Sequence, residues 1–221
     1  MKKVRVWDLP IRLFHWALAA LVVASVVTEN IGGNAMDWHF RAGYAVLALL
    51  GFRILWGLVG PRYARFSSFL YGPSTVMGYL RGEERKRLGH NPLGSLAVFA
   101  LLGVVLAQAV SGLFSNDDIV NEGPLVKFIS KELSDSFTWF HTEVSATAIY
   151  VMVGLHLAAI AFYQIGKRQN LVRPMITGDH EVEFDAPAAN DSWAMRLLAL
   201  ALLAAWAGAV YYLVTLPAPS V

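Results

Sequence analysis

Five runs of apolar residues dominate this chain, at roughly 11–29, 38–60, 92–114, 138–165 and 193–215. Each is long enough to cross ~30 Å of hydrocarbon as a helix rising ~1.5 Å per residue. Lipid offers no hydrogen bonds to the backbone, so runs of this length are expected to span as helices. Of 221 residues, 56% are hydrophobic and only 15% are charged, far from the balance of a soluble domain. The expected fold class is therefore an all-α integral membrane protein.

Punctuation along the chain agrees. Pro10 and Pro92 suit helix entrances, "NIGGN" breaks the chain after the first span, and Pro217 and Pro219 follow the last. The start has a basic head and an apolar run, but Trp7, Asp8 and Pro10 interrupt it and no small-residue cleavage pattern follows. It reads as a retained first span. The stretch 176–191, "ITGDHEVEFDAPAAND", reads as a polar, hinge-like connector to an appended fifth helix at 192–221. There is no internal repeat.

The net charge of +2 gives no reason to expect nucleic acid. The position of the charges matters more. Lys2, Lys3, Arg5 and Arg12 precede or open the first span. Arg62, Arg65, Arg81, Arg85, Lys86 and Arg87 lie between the second and third, and Lys167, Arg168 and Arg173 follow the fourth. With five spans these share one side. The other side carries Asp117, Asp118, Glu122, Glu132 and Asp135 against only Lys127 and Lys131. The predicted topology has a cytoplasmic N-terminus and a C-terminus on the opposite, outer side.

Topology then sorts the histidines. His15 and His156 fall near the cytoplasmic side, His39 and His141 near the outer side. His141 and His156 are 15 residues apart on one span, about four turns plus ~60° and ~22 Å of rise. Ionisable residues in a bilayer usually serve a site. Two imidazoles from facing helices can fill both axial positions of a haem iron, and two such haems would form an electron wire. Small residues Ser145 and Ala148 leave room beside His141. The absence of cysteine excludes disulfides, thiolate zinc, iron–sulfur clusters and thioether-attached haem. Zinc is less apt, because only two ligands meet at each level.

"RLFHW", "WHFRAGYAVLALLGFRILWGLVGPRYARF", "GHNPLG" and the span bearing His141 and His156 resemble the bacterial cytochrome b561 family, in its Ni,Fe-hydrogenase-type b-cytochrome branch. The resemblance covers about residues 4–175. It implies a four-helix membrane core with two haem b groups, passing electrons between quinone and a redox partner. It implies His15, His39, His141 and His156 as axial ligands. Relatives commonly space the two histidines of this span by 14 residues, often with an acidic residue directly after the first. Here "HTE" adds one residue, a rotation of ~100° that a helix bulge would absorb.

Arg53 lies 14 residues after His39, ~40° short of four full turns, at the level of the cytoplasmic haem. It is a candidate partner for a haem propionate, with Arg12 and Arg41 as further candidates; a snorkelling arginine is the plain alternative. His90 and Asn91 precede the third span. They read as a helix cap, or as quinone-carbonyl donors. His180 is expected in solvent. Gln108 and Ser111 are expected to bond between helices. Gly43, Gly51 and Gly57 permit close packing or haem approach.

The reading is a five-helix cytochrome b with two haem b groups. Quinone and a periplasmic c-type cytochrome, dehydrogenase or hydrogenase are its expected partners, and a homo-oligomer is a further candidate state. The alternatives are a stand-alone superoxide- or quinone-reacting oxidoreductase, and a haem-free transporter or structural subunit.

Overall fold

The computed structural model describes residues 2–83 and 87–219. Arg85 and Lys86, counted above among the basic residues, lie outside the described residues. The long helices are α1 (Leu9–Ile31), α2 (Met36–Val59), α4 (Pro92–Gly112), α6 (Ala146–Ile165) and α8 (Trp193–Val214). Shorter helices are α3 (Pro73–Leu80), α5 (Lys131–Trp139) and α7 (Val172–Thr177), and two strands, β1 (Lys2–Arg5) and β2 (Asp179–Val182), pair antiparallel. Among the described residues, five helical stretches are long and apolar enough to cross a membrane. Leu13, Val23, Leu58, Leu155 and Leu197 are exposed on them, as a lipid-facing surface requires.

The fourth stretch differs from the sequence expectation. It runs as one piece from Lys131 to Ile165, 35 residues. The helix, expected to begin near residue 138, starts after Ser130, whose hydroxyl accepts the Leu133 N–H and caps α5. The first turns, "KELSDS", are polar, so apolarity alone did not reveal them.

The described chain packs as two compact units. The first comprises Met1–His15, Arg53–Ala100 and Gly154–Ala201; the second comprises Trp16–Phe52, Leu101–Val153 and Leu202–Val221. α1, α2, α4, α6 and α8 each contribute a segment to both.

In the first unit the stretch 176–191 is fastened down. β2 pairs with β1 in the register Lys2–Val182 to Arg5–Asp179. Arg5 bonds Asp179 at 2.6 Å and Asp191 at 2.8 Å, and Asp191 also receives Arg196 and the Leu9 N–H, both at 3.1 Å. Gly178, at φ 89°, ends α7; a Cβ there would stand 2.6 Å from the Trp7 carbonyl. Asp8, 1% exposed, opens α1 by accepting the Ile11 N–H at 2.8 Å and Trp56 Nε1–H at 3.3 Å.

In the second unit Val46, Leu50, Val105 and Ile149 form one apolar cluster, and Leu47, Ala48, Leu113, Leu125 and Val210 another. The fifth span enters here. Trp206 donates to the Leu47 carbonyl at 3.2 Å and fills the space over Gly51, where a Cβ would lie 1.8 Å from its ring. Gly51 therefore serves packing. Gly43 has nothing within 4 Å of its missing Cβ and borders a cavity instead.

Candidate functional site

Each unit holds one histidine pair. In the first, His15 of α1 and His156 of α6 have ring centres 6.4 Å apart, with planes inclined at 51°. In the second, His39 of α2 and His141 have ring centres 6.3 Å apart, with planes at 82°. An iron bound through two opposite imidazole nitrogens at ~2 Å each sets the ring centres ~6.3 Å apart. Both pairs have the spacing that bis-imidazole ligation of one iron needs. Among the described residues, no three His, Asp or Glu side chains gather to hold a metal ion by themselves. The donor set suits a group that brings its own equatorial ligands.

The second pair has its tautomers fixed. His39 Nδ1 lies 2.9 Å from the Ser25 carbonyl, and His141 Nδ1 lies 3.0 Å from the Gln108 carbonyl. A carbonyl only accepts, so each Nδ1 carries the proton and each Nε2 presents a lone pair. A backbone carbonyl behind the ring is the usual support of a metal-ligating histidine. The Gln108 carboxamide nitrogen sits 3.0 Å from His141 Nε2 and its oxygen accepts from Ser145. A metal at Nε2 requires that carboxamide to turn aside.

The extra residue of "HTE" falls in a single wider turn. Phe140–Ser145 is π-helical, between α5 and α6. A π turn holds about one residue more than an α turn, which takes up the added residue locally. The Ser145 hydroxyl reaches the Phe140 carbonyl at 3.1 Å, five residues back. Gly112 backs the His141 ring; a Cβ there would lie 2.8 Å from its Cε1.

A cavity of about 570 Å³ adjoins His39 and His141. Val22, Gly43 and Ile149 line its apolar wall, and Glu29, Asn116 and Asp117 are among its polar lining. The Gln108 carboxamide and the Ser111 hydroxyl of α4 meet the His141 ring, in line with the expected bonding between helices, and Ser145, expected only to leave room, donates to Gln108.

The arginine candidates separate. Arg53 is 3% exposed, with its guanidinium 4.5 Å from the Phe66 ring centre, and its Nη1 has no hydrogen-bond partner among the described residues. Arg12 donates from Nη1 to the Ile176 carbonyl at 2.6 Å, while its buried Nε likewise has no partner. Both belong to the unit of His15 and His156. Arg41 is exposed and stands over Trp38 at 5.0 Å, away from the cavity lining.

Asn91 is committed to structure. Its Oδ1 accepts the Gly94 N–H at 2.7 Å and caps α4, and its amide donates to the Tyr163 hydroxyl at 2.8 Å. The half-buried His90 ring lies between Trp7 and Phe69, with ring centres at 4.8 and 4.4 Å. Its Nδ1 has no hydrogen-bond partner among the described residues. Burial, then the charge of Arg53, pushes the imidazole down to about 4, so it is neutral near pH 7. His180 lies on β2 opposite Val4. Lys127 bonds the Leu216 carbonyl and Lys131 bonds Asp118 and Asp135, so neither stands ready for an anionic substrate.

A family model for prokaryotic cytochrome b561 matches residues 6–178. The chain is 29% identical to the probable Ni/Fe-hydrogenase B-type cytochrome subunit of Azotobacter chroococcum mcd 1, over 83% of this chain and 91% of that one. It is 26% identical to the protein of that name from Bradyrhizobium diazoefficiens, over 80% and 86%. It is 25% identical to the probable Ni/Fe-hydrogenase 1 B-type cytochrome subunit of Escherichia coli strain K12, over 48% and 57%. No solved structure matches. With apolar helices in number and a match over most of its length, the chain belongs to the prokaryotic cytochrome b561 family, as a multi-pass membrane cytochrome of the b type.

Proposed function

We propose that this cytochrome carries two haem b groups and relays electrons across a bacterial inner membrane, between a hydrogenase and quinone. The observation that carries this reading is the pair of imidazole separations, 6.4 and 6.3 Å, each matching one iron held between two rings. His15 and His156 hold the first haem; His39 and His141 hold the second. Haem supplies one-electron cycling of iron, and with both axial positions filled that chemistry is electron transfer rather than oxygen binding. The carbonyls of Ser25 and Gln108 keep the lone pairs of His39 and His141 available. The unpartnered donors of Arg12 and Arg53 suit the propionates of the first haem.

The names of the relatives support a hydrogenase as partner. The basic loops support a cytoplasmic N-terminus and a periplasmic C-terminus. His90 is the better of the two quinone candidates, since it is a neutral imidazole whose buried Nδ1 has no partner among the described residues, whereas both groups of Asn91 are used.

The test is haem stoichiometry with the reduced-minus-oxidised spectrum of protein purified from haem-replete cells. Two haem b per chain are expected. H15A and H156A should each lose the same haem, and H39A and H141A the other. A haem-free protein would return the chain to the transporter or structural reading, and loss of one haem in both H15A and H141A would break the pairing.

A further inference from the structure

We propose that the haem held by His15 and His156 has the higher reduction potential of the two, because Arg53, which is buried, and Arg12, which is partly so, bring positive charge to it and, among the described residues, no lysine or arginine lines the other site. This rests on the two-haem reading above. Reduction adds a negative charge to a haem. Fixed positive charge nearby favours the reduced form and carboxylates oppose it; a buried charge such as that of Arg53 is screened least, while the exposed carboxylates of Glu29 and Asp117 act more weakly.

Helix geometry puts the two guanidiniums near the first pair. Trp56 of α2 bonds Asp8 at the start of α1, which fixes the level at which the two helices meet. Arg53 is three residues before Trp56, ~4.5 Å deeper along α2, while His15 is seven residues beyond Asp8, ~10.5 Å deeper along α1. Arg53 is therefore ~6 Å short of the His15 level, beside Arg12, which precedes His15 by one turn on the same face. Nearby acids offset them little. Asp179 and Asp191 are paired with Arg5, and Asp191 with Arg196 as well. The Asp8 carboxyl, pushed up by burial, is engaged by the Ile11 N–H and Trp56 Nε1–H.

The second site has the opposite balance. Among the described residues its cavity lining contains Glu29 and Asp117 and no lysine or arginine. Asp117 stays ionised, because hydrogen bonds from the Asn121 side chain and from backbone N–H groups hold its carboxyl well below the usual range. An electron that enters at His39 and His141 therefore settles on the haem of His15 and His156. Under the orientation proposed above, that is the direction from a periplasmic donor toward the cytoplasmic face.

An optical redox titration of the purified full-length protein tests this. Wild type should titrate as a high and a low component. H15A or H156A should lose the high one, and H39A the low one. R53Q should lower the high component at least tenfold in its reduction equilibrium, about 59 mV for one electron. It should leave the low component in place, and R53K should recover most of the loss. Fewer than two haems per wild-type chain would sink the two-haem reading itself. Two haems with the high component lost in H39A would overturn only the order of potentials. R53Q protein with both haems and unmoved potentials would remove Arg53 from the account. Should R53Q shed a haem, R12Q reads the neighbouring charge: a fall supports the proposal and no shift contradicts it.

Discussion

The two histidine pairs reach almost the same separation by different construction. At His15 and His156 the rings come from stretches of regular helix, and their unit supplies a buried arginine, Arg53, and a half-buried one, Arg12. At His39 and His141 two backbone carbonyls set the tautomers, one π turn takes up an extra residue, and a glycine leaves room for the ring. Carboxylates rather than guanidiniums border that site. The distance between ligands and the charge around them are thus separate properties. A pair can be rebuilt locally without touching its partner, which makes the comparison open to experiment.

The bluntest way to break it is to fill the space behind one ring. Gly112→Leu puts atoms where a Cβ alone would already lie 2.8 Å from His141 Cε1. Haem content should fall from two to one per chain, with the haem of His15 and His156 retained. Gly103→Leu lies on the same helix with nothing within 4 Å of its Cβ position, and should keep both. Loss of both haems in G112L but not in G103L would mean that the sites do not assemble independently.

A change of register comes next. Deleting Thr142 returns the spacing of His141 and His156 to 14 residues, which a regular helix can carry without the π turn. Both haems should remain. An alanine inserted after Ala146 adds a further ~100° of rotation with no second π turn to absorb it. The haem at His141 should then be lost. If the insertion keeps both haems by their absorption bands, the π turn is not what sets the register.

These features were unequally legible in the sequence. Runs of about 20 apolar residues announce themselves, because the bilayer requires them. The strands "KKVR" and "DHEV" do not, since each has four residues and the pairing joins ends of the chain about 175 residues apart. The helical start "KELSDS" is polar, and its cap at Ser130 is a weak local signal. The grouping of histidines by depth followed from topology. The carbonyls of Ser25 and Gln108 that orient them could not be read, because every residue has a carbonyl and only the fold chooses which one meets a ring. Asp8 was legible in principle as a cap before "LPI", but its bond to Trp56 depends on tertiary packing.

Acid should act through His90 before it acts through Asp117. His90, in the first, has a folded value of about 4 against 6.5 when exposed, so the unfolded chain binds more protons between those values. Stability therefore falls as pH drops from about 6.5 toward about 4, by up to roughly 3 kcal/mol. Asp117, in the second unit, has its folded value depressed below 3.8, so its contribution is lost only as pH falls further. Melting curves of the detergent-solubilised protein between pH 7 and pH 5 should show a steeper loss for wild type than for His90→Phe. Parallel curves would show that His90 does not carry the acid sensitivity of its unit.

The smallest change tests the finest difference between the pairs. The π turn moves the Phe140 carbonyl out of the ordinary helical pattern, and the Ser145 hydroxyl lies 3.1 Å from it while also meeting the Gln108 oxygen. Both contacts draw on one hydroxyl, so Ser145→Ala should cost about 1 kcal/mol, near the net worth of one buried hydrogen bond. That is roughly a fivefold faster or weaker retention of the haem at His141, read by transfer to excess apomyoglobin. Ser145→Thr keeps the hydroxyl and should restore much of the loss. The haem at His15 and His156 has no such turn beneath its ligands, so its transfer should not change. Equal weakening of both haems in S145A would show that the π turn steadies the whole bundle rather than one ligand.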